Sequence, residues 1–219
     1  MTNVDSNRKN RSILTNSEFD LLRAQARVNA FIFLALRNEA LLCALRLFGK
    51  RRAEFGSSRV SPGLLRSDVW VDENYINFNF KLLKKHLAKL PETVKRVSIK
   101  DTLAKPILNY IKYLDDLDKP VKYFFSSAKN TFGNYSILYD NCLPSRCVYD
   151  VVRELGDASG VVVWPHLFRE TAGGEEIMDD PSAYGVAKVM NRLNITERTA
   201  WSYMERHVMS VVKSRESTA

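Results

Sequence analysis

Ile76, Phe78 and Phe80 alternate with Asn77, Asn79 and Lys81, a period of two set in a chain whose other apolar residues recur every three to four positions. Such a stretch buries one face only as a strand, with the aromatic stripe inward and Lys81 on the polar face with Asn77 and Asn79. A second run, Arg96-Val97-Ser98-Ile99, lies beyond a loop around His86–Thr93 and closes an antiparallel hairpin. Helical patterns flank it. Thr15 or Asn16, followed by Ser17-Glu18 and the spaced Phe19, Leu22 and Ala26, reads as a capped amphipathic helix. A strongly apolar helix runs from about Asn38 to Phe48 and stops at Gly49. Later helices are expected at Leu103–Leu117, Ser145–Leu155, Arg169–Met178, Ala183–Leu193 and from Thr196 to about Val212. The fold class is therefore mainly α with a small antiparallel β-hairpin (α+β), in one compact unit without internal repeats.

The 219 residues suit one to one and a half domains at about 100–200 residues each. Lys and Arg number 33 against 25 Asp and Glu, a net charge of +8, which points to a polyanionic partner without choosing among DNA, RNA and an acidic membrane. Residues 1–13 are polar, carry Arg8, Lys9 and Arg11, and read as a flexible basic tail. With three Cys, three His and no paired metal-ligand spacing, neither a disulfide framework nor a zinc site is indicated, and no cofactor is expected. The longest apolar stretches, Ala30–Leu36 and Ala40–Leu47, are separated by Arg37, Asn38 and Glu39. Neither reaches the ~20 residues that cross a bilayer, and no signal region opens the chain. A soluble, cytoplasmic protein without a membrane partner is expected.

Three local strings could carry chemistry. In Trp164-Pro165-His166-Leu167-Phe168-Arg169-Glu170-Thr171, His166 and Arg169 share a face at a helix start and could together grip one phosphate. A helix-cap imidazole beside a surface arginine would read the same way. Lys50, Arg51 and Arg52 follow Gly49 where the apolar helix ends; the helix dipole alone favours cations there, but with Glu54 to orient a guanidinium they would also form a phosphate clamp. Tyr203 sits in Thr199-Ala200-Trp201-Ser202-Tyr203-Met204, where a tyrosine is most often core. A different reading takes Tyr184–Met204 as a helix-turn-helix, making the protein a DNA-binding regulator with Tyr203 structural.

In this order and spacing the strings resemble the catalytic domain of the tyrosine recombinases, the family of phage integrases and chromosome-dimer resolvases. The likeness runs from about Leu14 to His207. It rests on Leu14-Thr15-Asn16-Ser17-Glu18, Gly49-Lys50-Arg51-Arg52-Ala53-Glu54, Leu64-Leu65-Arg66-Ser67-Asp68-Val69, a lysine-bearing hairpin, Pro144-Ser145-Arg146 and the His166–Arg169 phrase. The resemblance implies that residues 14–219 form a catalytic domain with no separate N-terminal DNA-clamping domain. It makes Arg51 the first catalytic arginine, His166 and Arg169 the second pair, Tyr203 the nucleophile and Lys81 the catalytic lysine, with Lys84 and Lys85 as rivals and Arg52 competing with Arg51. It further implies double-stranded DNA as partner, a homotetramer on synapsed DNA, an accessory DNA-bending protein and a 3′-phosphotyrosyl intermediate. Two departures stand out. Arg192 or Asn194 falls where the family usually has His or Trp, and Glu170 follows Arg169 where a His is common. Small size and divergent motifs suggest a mobile-element or viral origin, such as an archaeal virus or plasmid.

Overall fold

The computed structural model describes residues 13–81 and 94–216. Arg8, Lys9 and Arg11 of the basic tail, and the rival lysines Lys84 and Lys85, lie outside the described residues. Helix α1 (Asn16–Arg27) begins as its sequence dictates. Thr15 accepts a hydrogen bond from Glu18 N–H while the Glu18 carboxylate accepts one from Thr15 N–H, and Phe19, Leu22 and Ala26 are buried.

Helix α2 (Ile32–Phe48) is the central rod of the core and is longer than the sequence pattern suggests. Arg37, Asn38 and Glu39 do not interrupt it, because each is buried with its polar atoms satisfied. Arg37 donates to Asn38 Oδ1 and to the Ser126 carbonyl (3.1 Å), and Glu39 pairs with Arg23 (3.1 Å) and Arg27. At its end Gly49 takes the left-handed conformation (φ 55°) and turns the chain into the short α3 (Arg52–Phe55).

The alternating segment is the middle of a three-stranded antiparallel sheet, β1 (Val69–Val71), β2 (Tyr75–Asn79) and β3 (Val94–Ser98), in the order β1-β2-β3. The hairpin expected from sequence is present, with Ile76 opposite Val97, and β1 is an addition too short to show a period. Ile76, Phe78 and Phe80 are fully buried; Phe48 packs against Phe78 and Phe80, and Phe55 against Phe80. Each such side chain contributes about 1.5–3 kcal/mol of burial free energy.

After α4 (Ala104–Asp115) comes a second hairpin, β4 (Ser126–Thr131) and β5 (Asn134–Cys142), where sequence reasoning placed no strand. It turns through Phe132 and Gly133, both at positive φ, and β4 is a largely exposed Ser-Ser-Ala-Lys-Asn-Thr run with little intrinsic strand preference.

Helices α5 (Ser145–Ser159), α6 (Pro165–Asp179), α7 (Ala183–Leu193) and α8 (Glu197–Glu216) complete the described chain. Helix α6 starts four residues before the expected Arg169, with Pro165 in its first turn, where a missing N–H costs nothing. It separates the main core from a smaller apolar cluster that includes Ala172, Val189, Leu193, Ala200 and Tyr203. The turn at Asn194–Thr196 joins α7 to α8, as a helix-turn-helix would, but Ala200, Tyr203 and His207 of α8 are buried, and the last two pack against α6 at Gly173 and Gly174. Among the described residues no helix is long and apolar enough to cross a membrane.

Candidate active site

A cleft of about 330 Å³ opens where the end of α2 meets the start of α6. Lys50, Arg51, Arg52, Tyr149, Trp164, Pro165, His166 and Arg169 line it. Among the described residues four cations and an imidazole face it and no carboxylate does, so it suits an anion with a flat apolar group beside it.

Arg169 is the keystone. Three per cent exposed, it donates to the carbonyls of Gly49 (2.8 Å) and Leu193 (2.7 Å), the ends of α2 and α7. Carbonyls at helix C-termini carry partial negative charge and solvate the buried guanidinium. Burial, followed by the neighbouring Arg51 charge, lowers its pKa, while Tyr203 and Glu54 push the other way; an arginine stays charged regardless. The approach requires Gly49, since a Cβ there would meet Leu193 Cδ2 at 2.5 Å and Ala172 Cβ at 2.9 Å.

Arg51 caps α3, and its backbone N–H donates to Glu54 Oε2 (2.7 Å). The sequence reading had Glu54 orienting the guanidinium. Instead the carboxylate fixes the main chain, and the side chain of Arg51 reaches the cleft. His166 is mostly exposed at the cleft rim, 2.9 Å from Glu170 Oε1. The other Glu170 oxygen is 3.0 Å from Arg206. Burial pushes the Glu170 carboxyl up, but the His166 hydrogen bond and the Arg206 charge outweigh it and leave the pKa lowered.

Tyr203 is 3% exposed and sits close to Arg169. Burial raises the phenol pKa, Glu170 raises it further, and Arg169 and Arg206 oppose the rise. Its ring lies on bare backbone: a Cβ at Gly173 would come within 2.5 Å of Tyr203 Cδ1, and one at Gly174 within 2.5 Å of His207 Cε1. His207 stacks one turn beyond Tyr203, with ring centroids 6.5 Å apart.

The structure thus brings Arg51, His166 and Arg169 to one cleft, with Tyr203 buried close to Arg169 and not among the lining side chains. It does not bring Lys81 there: that residue is exposed just beyond β2 and is not among the lining side chains. Of the two residues at the unusual position, Arg192 is a strut that donates to the carbonyls of Arg46, Leu47 and Ala172 and to Glu176. Asn194 is the one at the site. It is left-handed (φ 50°) and buried, and with its amide nitrogen donating to the Asn191 carbonyl (3.0 Å), its oxygen accepts from Lys50 Nζ (2.7 Å).

Sequence reasoning missed three contributors. Lys50, one of three cations at the end of the apolar helix in the sequence, was given no role of its own, yet it is 1% exposed and lines the cleft. Lys95 on β3 donates to the carbonyl and side chain of Asn191 (2.9 and 2.8 Å), tying the sheet to the end of α7. Gly173-Gly174, which clears space for Tyr203, carries a sequence signal, because two adjacent glycines inside a helix need a packing reason. Among the described residues no cluster of three His, Cys, Asp or Glu side chains could hold a metal ion.

The fold has solved counterparts. The chain is similar to the XerH site-specific recombinase bound to difH substrate, in a pre-cleavage complex (14% identity over 88% of this chain and 49% of that one, TM-score 0.59) and a post-cleavage complex (14%, 95% and 53%, 0.63). It is also similar to XerA recombinase (18% identity, 93% of this chain and 65% of that one, TM-score 0.62). The chain has the tyrosine recombinase catalytic-domain fold. It spans about half to two thirds of the length of these recombinases. No family profile matches its sequence, and no curated protein matches it.

Proposed function

We propose that this chain is the catalytic part of a site-specific DNA recombinase that cleaves and rejoins duplex DNA through a 3′-phosphotyrosyl intermediate. The observation that carries the reading is Arg169. One guanidinium is pinned by two main-chain carbonyls, lines a cationic cleft with Arg51 and His166, and lies close enough to Tyr203 to oppose the rise that burial gives the phenol pKa. A phosphate seated on Arg51 and Arg169 would have its non-bridging oxygens neutralised and the phenol beside it. That is the arrangement in-line attack needs.

Each group then has a role set by its chemistry. Tyr203 forms the bond to phosphorus as the bond to the 5′ oxygen breaks, and its proton passes to His166 at the solvent rim. A phenol is a poor nucleophile until it loses that proton, so the Arg169 contact, which opposes the effect of burial, favours attack. The leaving 5′ oxygen needs a proton, and the resemblance assigns it to the hairpin lysine, Lys81. The phosphodiester energy is kept in the protein linkage, so a free 5′-hydroxyl from another strand can displace Tyr203 without ATP. Assembly as a homotetramer on two duplexes, an accessory DNA-bending protein and residence with the DNA in the cytoplasm belong to the same proposal, as does a mobile-element or viral origin. A regulator reading through α7 and α8 leaves the Arg51–His166–Arg169 cleft without a purpose.

The test is trapping. The purified chain is incubated with a pool of nicked duplexes randomised around the nick, so that a cleaved strand loses the fragment needed for rejoining. Wild type should give protein–DNA adducts that survive a denaturing gel, and Tyr203→Phe should give none. Binding without adduct in wild type would overturn the reading in favour of a recombinase fold that has lost cleavage.

A further inference from the structure

Position 170, where a histidine is common in the recombinases that the sequence resembles, holds a carboxylate that reaches both the cleft rim and the helix bearing Tyr203. Glu170 is buried one turn beyond His166 on α6, with Oε1 2.9 Å from His166 Nε2 and Oε2 3.0 Å from Arg206 of α8. Arg206 also donates to the Ser202 carbonyl (3.0 Å) and lies over the Tyr203 ring, 4.7 Å from its centroid. Two lone pairs do not rest 2.9 Å apart, so one of the facing atoms carries a hydrogen. Burial raises the Glu170 pKa, but His166 and Arg206 leave it below the ordinary carboxylate value, which puts the hydrogen on Nε2. A neutral imidazole has one N–H. With Nε2 protonated, Nδ1 keeps the lone pair.

We propose that Glu170 is a positioning residue for strand cleavage: by accepting the Nε2 hydrogen it holds His166 in the tautomer whose bare Nδ1 takes the phenol proton of Tyr203. This rests on the recombinase reading above. In the step, the Tyr203 oxygen bonds to phosphorus and its proton passes to the Nδ1 lone pair. The phosphorus–O5′ bond breaks with its electron pair going to O5′, which takes a proton from the acid already assigned. The resulting imidazolium lies against the Glu170 carboxylate, an opposite charge that stabilises it. Rejoining runs the same transfers backwards, with Nδ1 returning the proton to the departing phenolate.

Arg206 is the reason a carboxylate is needed. A guanidinium only donates, so it takes an oxygen from whatever side chain faces it. A carboxylate has a second oxygen left for His166. An amide in the same place would turn its oxygen to Arg206 and its NH₂ to the ring. Because an NH₂ donates, Nε2 would then be the bare nitrogen and Nδ1 would carry the hydrogen, which leaves Nδ1 unable to act as a base. The titratable groups in the field of Glu170 are His166 from its own helix and Arg206, Tyr203 and His207 from α8.

The experiment reads the ring and the rate separately. The free chain is labelled with nitrogen-15 at histidine and examined by NMR at a pH where imidazoles are neutral, the His166 signals being those lost in His166→Gln. Wild type should show a bare Nδ1 and Glu170→Gln a bare Nε2. Glu170→Gln combined with Arg206→Met, where the amide is free to turn over, should show a bare Nδ1 again. Single-turnover adduct formation, on the duplex recovered from trapping and below the alkaline rise, should be about 10²–10⁴-fold slower in Glu170→Gln, the size of a lost general base, and at least about tenfold faster in the double variant than in Glu170→Gln. Charge alone predicts the reverse on both counts. Beyond burial, the Glu170 charge raises the Tyr203 pKa and the Arg206 charge lowers it, so removing the first would speed attack and removing the second would slow it. Thermal melting and duplex binding establish that each variant is folded. An unchanged ring or an undiminished rate in folded Glu170→Gln, or a double variant no faster than the single, would overturn the inference. Absence of any wild-type adduct would instead remove the recombinase reading, and the ring measurement, which needs no DNA, tells that failure from this one.

Discussion

Replacing Gly173 with alanine tests whether Tyr203 is held in a working position. The new Cβ would sit 2.5 and 2.6 Å from two carbons of the Tyr203 ring and 3.1 Å from Leu193 Cδ1. Carbon atoms rest comfortably at about 3.5–4.0 Å, so the ring must retreat by about 1 Å. Overpacking of this size costs about 1–3 kcal/mol, and exchanging glycine for alanine inside a helix returns about 0.5–1 kcal/mol. The net loss of about 0–2.5 kcal/mol corresponds to at most about 10 °C in melting temperature for a chain this long. Catalysis should suffer far more, because a 1 Å misplacement of a reacting group can cost about 10²-fold. The assay is single-turnover adduct formation beside melting and duplex affinity. The expected result is a roughly hundredfold slower adduct with affinity unchanged, since Gly173 touches no phosphate-binding side chain. An adduct rate within a few-fold of wild type would refute the reasoning.

Arg169→Ala should lower stability by about 2–6 kcal/mol, because two buried carbonyls lose their donor at about 1–3 kcal/mol each; chemical denaturation checks this, and an unchanged midpoint would contradict the strut role of Arg169. Lys50 makes stability rise with pH: between its folded value of about 7 and the ordinary 10.5, the unfolded chain holds a proton that the folded one has released. That contribution is complete above the unfolded value and is lost as pH falls through about 7. At about 1.4 kcal/mol per pH unit, wild type should gain about 2–3 kcal/mol on Lys50→Met between pH 7 and 9, and a flat difference would contradict the burial argument. Glu170→Gln removes a charge that raises the Tyr203 pKa, so the alkaline rise in cleavage rate should move to lower pH; an unmoved profile would place Glu170 outside the nucleophile's field.

What could be read from sequence was what local chemistry determines. Thr15 with Glu18 specifies the start of α1, the alternation at 76–80 specifies β2, and Ala183–Leu193 is bounded as its apolar spacing indicates. Arg51, His166 and Arg169 could be singled out because cations grouped near helix ends suggest an anion. What escaped notice depends on tertiary contacts. The β4–β5 hairpin is made of residues with weak strand preference around a turn at positive φ, and α2 runs through three polar residues because Arg37 reaches the Ser126 carbonyl and Glu39 the arginines of α1. The burial of Lys50 against Phe80 and Asn194 has no local signal, since a lysine's default is solvent. Lys81 was chosen by strand parity, which sets a face but not a distance to the cleft.

The central claim is that Tyr203 attacks a phosphate held by Arg51 and Arg169. The direct measurement is to digest the trapped adduct with protease and nuclease and find the modified peptide by mass. The account predicts a nucleotide joined through its 3′-phosphate to Tyr203, with a 5′-hydroxyl on the released strand. A nucleotide on any other residue, or a linkage through a 5′-phosphate, would contradict it.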